Sequence, residues 1–206
     1  MTADAQSWVL ALLVAYLIGS VPFGLLLSHA VGAGDIRKVG SGNIGATNVL
    51  RSGRKGLALV TLLLDIAKGI AGIYAAWRLG AKSTDIAHYA MLAAILGHCF
   101  PVWLQFKGGK GVATAIGVII GYYHLVLAVP FYMLLLPLFG VWVLVFAISR
   151  FVSLASIVAA SSLPLITLYL SGQWQVETAI AVLIIALHRA NIQRLMRGEE
   201  MGFGKK

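Results

Sequence analysis

Apolar runs long enough to cross a bilayer, joined by short loops that carry most of the charge, confine this chain to a helical bundle in a membrane. A transmembrane helix needs about 20 mostly apolar residues. Runs of this kind lie near 7–30, 57–79, 86–105, 112–123, 125–148, 153–171 and 175–190. Only 11% of the 206 residues are charged and 60% are hydrophobic, and the mean hydropathy is +0.90. That is too little charge to cover a soluble surface of this size. The expected fold is therefore an all-α integral membrane protein, a single membrane-embedded domain over 1–206 with seven transmembrane helices. Merging the fourth and fifth runs around Tyr122-Tyr123-His124 would reduce the count to six. The first run lacks a basic leader and a small-residue cleavage site, so it reads as a retained span.

The cations give the bundle a direction. Arg37, Lys38, Arg51, Arg54, Lys55, Lys107, Lys110 and Arg150 fall in loops on one side, with Arg189, Arg194, Arg197, Lys205 and Lys206 at the end of the last run and in the tail. The other side keeps Arg78 and Lys82 beside the acidic Asp4, Asp85 and Glu177. The positive-inside rule then puts the N-terminus outside and the C-terminus in the cytoplasm. The net charge of +9 does not indicate nucleic acid, because the basic residues form no stripe interleaved with aromatics. The single cysteine, Cys99, supports no intramolecular disulfide.

Three polar segments interrupt the apolar pattern, and this topology places all of them on the cytoplasmic face. They are Gly40-Ser-Gly-Asn-Ile-Gly-Ala-Thr-Asn48, Phe106-Lys-Gly-Gly-Lys-Gly111 and His188-Arg-Ala-Asn191. The first matches G-x-G-x-x-G, but a membrane span precedes it where a dinucleotide fold needs a strand and a βαβ unit. Its glycines allow successive amides to turn toward one anion. Ser41, Asn43, Thr47 and Asn48 add side-chain donors, and Arg51 adds a planar fork suited to phosphate. The second segment is not a Walker loop, since Gly111 stands where the magnesium-binding hydroxyl belongs. Two lysines around Gly108 and Gly109 still make a phosphate seat, with Lys110 opening the next helix. In the third, His188 and Asn191 are three apart and share a helical face. Ser149 and Arg150 close the fifth run at the same depth.

Other polar residues lie deeper. Asp65 and Lys68, three apart inside the second run, read as an internal ion pair supporting the site. His98 reads as a hydrogen-bonded buried histidine shaping the bend at Pro101, and His29, His88 and His124 as interface residues. Glycines within spans, such as Gly69, Gly72, Gly117 and Gly121, suggest close helix packing. An H-x4-D acyltransferase dyad and a G-x-S-x-G elbow are both missing from the sequence. No acidic cluster suggests a divalent metal, and the site calls for no metal and no cofactor.

With these residues in view, the chain resembles the PlsY family of bacterial membrane glycerol-3-phosphate acyltransferases. The resemblance rests on G-S-G-N-I-G-A-T-N-V-L-R at 40–51, D-I-A-K-G at 65–69, G-H-C-F-P at 97–101, F-K-G-G-K-G-V-A-T at 106–114 and H-R-A-N-I at 188–192. It implies acyl transfer from acyl phosphate to the 1-hydroxyl of glycerol 3-phosphate, giving lysophosphatidic acid and inorganic phosphate. It further implies that Ser41, Arg51 and Lys110 hold the acyl phosphate. Gly40, Gly42, Asn43, Gly45, Ala46, Thr47, Asn48, Gly108 and Gly109 would line the same seat. Ser149, Arg150, His188 and Asn191, with Lys110, would take glycerol 3-phosphate, and His188 is the one candidate for a protein base beside the acceptor's own phosphate. The implied setting is the bacterial inner membrane with the site facing the cytoplasm. The partners are the lipid bilayer and a soluble enzyme that makes acyl phosphate. A transporter of phosphate esters is the alternative, and it predicts polar residues continuing through the membrane together with an inverted repeat.

Overall fold

The structure is a computed structural model that describes residues 3–202, so Lys205 and Lys206 of the charge argument lie outside the described residues. Among the described residues all regular structure is helical. The helices are α1 (Ala3–Gly19), α2 (Phe23–Ala30), α3 (Ala46–Arg51), α4 (Lys55–Leu79), α5 (Thr84–Cys99), α6 (Val112–Ile119), α7 (Tyr132–Ser149), α8 (Val152–Ser171), α9 (Gln175–Leu187) and α10 (Arg189–Met196). Short 3-10 turns lie at Ile36–Lys38 and Val102–Leu104, and a π-helical stretch, Ile120–Val126, extends α6.

Five segments are long and apolar enough to cross a membrane, α1 and α2 counting as one, and the bent pair α9 and α10 makes up to six. The protein is thus a multi-pass membrane protein. The expected fourth span is the exception: Val112–Val126 is apolar but short for a bilayer. The expected boundary between the fourth and fifth spans moves as well. The chain stays helical through Tyr122-Tyr123-His124, breaks at Ala128 (φ 56°) and Pro130, and restarts at Tyr132.

The chain divides between Val129 and Pro130 into two compact units. In the first, helix axes approach closely wherever a glycine removes the side chain. A Cβ on Gly69 would lie 2.6 Å from the Thr114 carbonyl oxygen, and one on Gly117 would fall on the Ile66 carbonyl, so α4 and α6 meet backbone to backbone. Gly19 sits on the Ala94 backbone and Gly97 on the Tyr16 carbonyl, which draws α1 against α5. Small residues at such crossings are the usual solution where lipid gives no hydrophobic drive for helix association. The packing expected of the span glycines is what the helices use. Ser83 starts α5 by accepting the Ile86 amide (3.3 Å), and the turn before Pro101 stops it.

In the second unit α7 packs on α8 and α8 on α9. Phe139, Trp142 and Phe146 stack along α7 (centroids 6.3 and 4.9 Å apart), and the Trp142 indole donates to Ser156 Oγ (3.3 Å) on α8. The turn between these helices needs Arg150 in the left-handed region (φ 62°), a strained choice for a residue with a Cβ. Ser149 Oγ accepts the Phe151 amide (3.2 Å) and closes the turn.

Candidate functional site

The 36–51 segment is built around one side chain. Asn48, on α3 and 2% exposed, donates its amide to the carbonyls of Ile36 (3.0 Å), Val39 (2.9 Å) and Asn43 (2.8 Å). Its Oδ1 accepts from the Ser41 amide (2.9 Å) and hydroxyl (3.3 Å). Gly40 has to be a glycine: its φ is +56°, and a Cβ there would collide with Asn48 Oδ1. Asn43 Oδ1 accepts the Gly45 amide (2.8 Å), and the Gly42 amide goes to Val39 O (3.0 Å). The amides of Ser41, Gly42 and Gly45 are therefore spent inside the loop, which corrects the expectation of a nest of amides all turned toward one anion. Asn48 likewise acts as the loop's staple, its amide committed to carbonyls. Ser41 and Thr47 remain exposed, and Arg51 is half-buried at the end of α3 with its Cδ beside Gly40.

This loop is seated on apolar contacts. Leu25, Ile36, Ile44, Val49 and Ala58 form a buried cluster, covered by Leu50, Leu57 and Leu104. Gly24 lets α2 lie on the Ile44 carbonyl. Leu104 ends the 3-10 turn just before the second glycine segment, so both polar segments of this unit rest on one apolar base. At the loop's edge Asp35 takes three bonds from the Arg37 guanidinium (2.7, 2.9 and 3.1 Å), which hold its carboxyl well below the usual carboxylate range.

In the 106–111 segment the Gly108 and Gly109 amides donate to the Cys99 and His98 carbonyls (3.0 Å each), capping α5. Lys110 is half-buried and precedes Gly111, which turns left-handed (φ 83°) before α6 begins at Val112. The helix thus opens at Val112, where the apolar run was expected to begin, and Lys110 stands just before its N-cap rather than in its first turn. Asp65 and Lys68 do form a buried ion pair (2.7 Å), and Lys68 also donates to Val21 O (2.8 Å) at the break between α1 and α2.

In the second unit the last span is broken. α9 and α10 meet at 55° with His188 at the joint, so His188 and Asn191 do not ride on one continuous helical face. Both are 3% exposed. His188 Nδ1 lies 2.8 Å from the Ile184 carbonyl, which assigns the ring proton to Nδ1. The residue that organises this end was not among the sequence candidates. Glu200 Oε1 accepts from Asn191 Nδ2 (2.6 Å) and Ser153 Oγ (2.7 Å), and its Oε2 accepts from Arg194 Nε (2.7 Å). Burial works to raise the Glu200 carboxyl, but these bonds outweigh it and hold its pKa below the ordinary value. Its sequence signal was an acidic residue at the end of a cation-rich segment.

Comparison with known proteins decides what these loops belong to. The family model described as glycerol-3-phosphate acyltransferase matches residues 9–198. The chain belongs to that family. A glycerol-3-phosphate acyltransferase of Sinorhizobium medicae is 49% identical over 98% of this chain and 99% of its own. One from Paramagnetospirillum magneticum is 50% identical over 96% and 94%. The crystal structure of PlsY (YgiH), an integral membrane glycerol 3-phosphate acyltransferase, in its glycerol 3-phosphate form, superposes with TM-score 0.82 at 39% identity, covering 96% of both chains. Its lysophosphatidic acid form gives 0.80 at 38%. Family membership makes this chain an acyltransferase and sets aside the transporter alternative.

Proposed function

We propose that this protein transfers a fatty acyl group from acyl phosphate to the 1-hydroxyl of glycerol 3-phosphate, releasing lysophosphatidic acid and inorganic phosphate. The observation that carries the reading is the match to the acyltransferase family across nearly the whole chain. The solved relative in its glycerol 3-phosphate form supports the acceptor. The choice of donor is supported by the residues. Acyl phosphate is already activated, so the protein needs no nucleophile of its own, and the H-x4-D and G-x-S-x-G patterns are both lacking in the sequence.

Ser41, Thr47, Arg51 and Lys110 supply hydroxyl and cationic donors for the acyl phosphate, on a backbone shaped by Gly40, Gly42, Asn43, Gly45, Ala46, Asn48, Gly108 and Gly109. Arg150, Ser149, His188 and Asn191, with Lys110, bind glycerol 3-phosphate. The acceptor hydroxyl adds to the acyl carbonyl, and the carbon–oxygen bond to phosphate then breaks. Cations aimed at the departing phosphate stabilise the charge that grows there. The hydroxyl proton passes to the acceptor's own phosphate, and His188 positions that group. The protein's contribution is then alignment and electrostatics. A His188→Gln variant should keep kcat while raising the acceptor KM; a collapse of kcat would make His188 the base. The two units work as one catalytic domain with seven passes, the N-terminus outside, and the site on the cytoplasmic side of the bacterial inner membrane. There a soluble enzyme delivers the acyl phosphate.

The donor is tested by phosphate release from palmitoyl phosphate with and without glycerol 3-phosphate, with palmitoyl-CoA in parallel. Release that needs the acceptor, with the thioester inert, supports this reading. Turnover of the thioester at a comparable rate contradicts it.

A further inference from the structure

The groups packed behind the 106–111 segment go beyond what helix packing requires. Gly109 carries an ordinary φ, so its lack of a side chain is not a backbone requirement. A Cβ there would land on the His98 ring at Nε2, and one on Gly108 would land on the His98 carbonyl and Pro101. With the amides of Gly108 and Gly109 bonded to the Cys99 and His98 carbonyls, this stretch lies flat against His98, ring and backbone both. The chain reaches it through Gln105 and Phe106, consecutive residues in the left-handed region (φ 52° and 60°). Two such residues in a row are costly and persist only where the surroundings over-determine the turn.

Behind the ring stands a charge pair. His98 Nδ1 is 3.6 Å from Asp65 Oδ1, and Lys68 Nζ is 2.7 Å from the same oxygen. Lys68 also donates to Val21 O and lies 5.8 Å from the centre of the Phe23 ring, so it ties the joint of α1 and α2 to α4. All three polar side chains are at most 4% exposed. Ions in a membrane interior are expensive, and apolar side chains would hold the same helices together at lower cost. The gap from the carboxylate to the ring is longer than a hydrogen bond, so Asp65 acts on His98 by charge and favours the proton on the nitrogen that faces it, Nδ1.

We propose that His98, oriented by Asp65, is the positioning residue for residues 107–110, and that it thereby sets where Lys110 stands. This rests on the reading of Lys110 as part of the phosphate seat. His98 itself touches no substrate; it acts through the backbone that carries Lys110.

A size swap tests this on the full-length enzyme in detergent, with palmitoyl phosphate and glycerol 3-phosphate varied separately. Gly109→Ala places a methyl on the ring and should raise the palmitoyl phosphate KM about tenfold or more, the scale expected of a displaced contact. Adding His98→Ala makes room for that methyl, so His98→Ala/Gly109→Ala should be several-fold more active than Gly109→Ala alone, a coupling expected only of groups in contact. If His98→Ala does not fold, His98→Asn opens the same space with a polar group kept toward Asp65. A double variant no better than Gly109→Ala, or losses that appear as a lower Tm with both KM values unchanged, would overturn the proposal. Lys110→Ala separates the two layers. If it retains activity, the seat reading fails and takes this inference with it. If it is inactive while the swap shows no coupling, the positioning role alone fails.

Discussion

The two units hold their polar segments by different means. Up to Val129 the fastening is glycine against packed neighbours: Gly40 on the Asn48 side chain, Gly24 on the Ile44 carbonyl, Gly108 on the His98 carbonyl and Gly109 on the His98 ring, all above a base of aliphatic side chains. From Pro130 on, no comparable glycine contact appears among the described residues, and one carboxylate, Glu200, gathers Ser153, Asn191 and Arg194. A glycine-fastened loop fails when atoms are added, because its closely packed neighbours have no room to yield. A carboxylate-centred cluster fails when one acceptor is removed, because several buried donors lose their partner together.

This contrast can be broken first at Glu200. Glu200→Ala removes the oxygen that accepts from both Asn191 and Ser153 and should cost on the order of 3 kcal/mol, as for a buried network that loses its central charge. Thermal melting in detergent and the acceptor KM should both register it, whereas melting unchanged from wild type would show the cluster to be dispensable. Overpacking the first unit comes next. Gly117→Leu drives a side chain into the Ile66 carbonyl and should cost about 1–3 kcal/mol, read as a lower Tm with KM values kept in the fraction that folds.

Asn48→Ala should act more locally. It unties three carbonyls and the Ser41 amide, and about a tenfold loss in kcat/KM for acyl phosphate is expected, with a fall in Tm smaller than that of Glu200→Ala because the loss is confined to one loop. An equal loss for both substrates would show that the loop serves the whole protein and not one seat.

Acidity gives a subtler contrast. The folded pKa of Glu200 lies below its ordinary value of 4.5. Its stabilisation is therefore complete above pH 4.5 and is lost as pH falls through the depressed folded value. Melting curves should show an acid limb that Glu200→Gln removes; an acid limb unchanged in that variant would assign it to other groups. The smallest effect belongs to Asp35. Its pair with Arg37 lies at the protein surface, and surface pairs contribute little. Asp35→Asn should leave Tm and kcat/KM at wild-type values, and a clear drop in either would mean that this edge of the loop matters more than its exposure suggests.

Much of this was legible in the sequence. Apolar run length located every long helix, and glycines inside those runs marked the crossings of α4 with α6 and of α1 with α5. The polar segments stood out because glycines and cations interrupt spans that need neither. What stayed hidden depends on tertiary partners. The break at His188 has no proline or glycine to announce it in Ala-Leu-His-Arg-Ala. Asn48 looked like an anion donor because an amide suits a carbonyl or a phosphate equally well, and only the folded loop shows which it meets. Glu200 was the second of two adjacent acids in a basic tail until the fold brought Ser153, distant in sequence, against it. The short helix at 112–126 reads as a span by composition, and its length is set by the left-handed turn at Gly111 and the break at Ala128.

The central claim is that Arg51 serves the acyl phosphate and Asn191 the glycerol 3-phosphate, with Lys110 shared between the two substrates. Separate KM values for palmitoyl phosphate and glycerol 3-phosphate in Arg51→Ala and Asn191→Ala test it most directly. The account predicts that Arg51→Ala raises the palmitoyl phosphate KM alone and Asn191→Ala the glycerol 3-phosphate KM alone. Both constants rising together in each variant would contradict it.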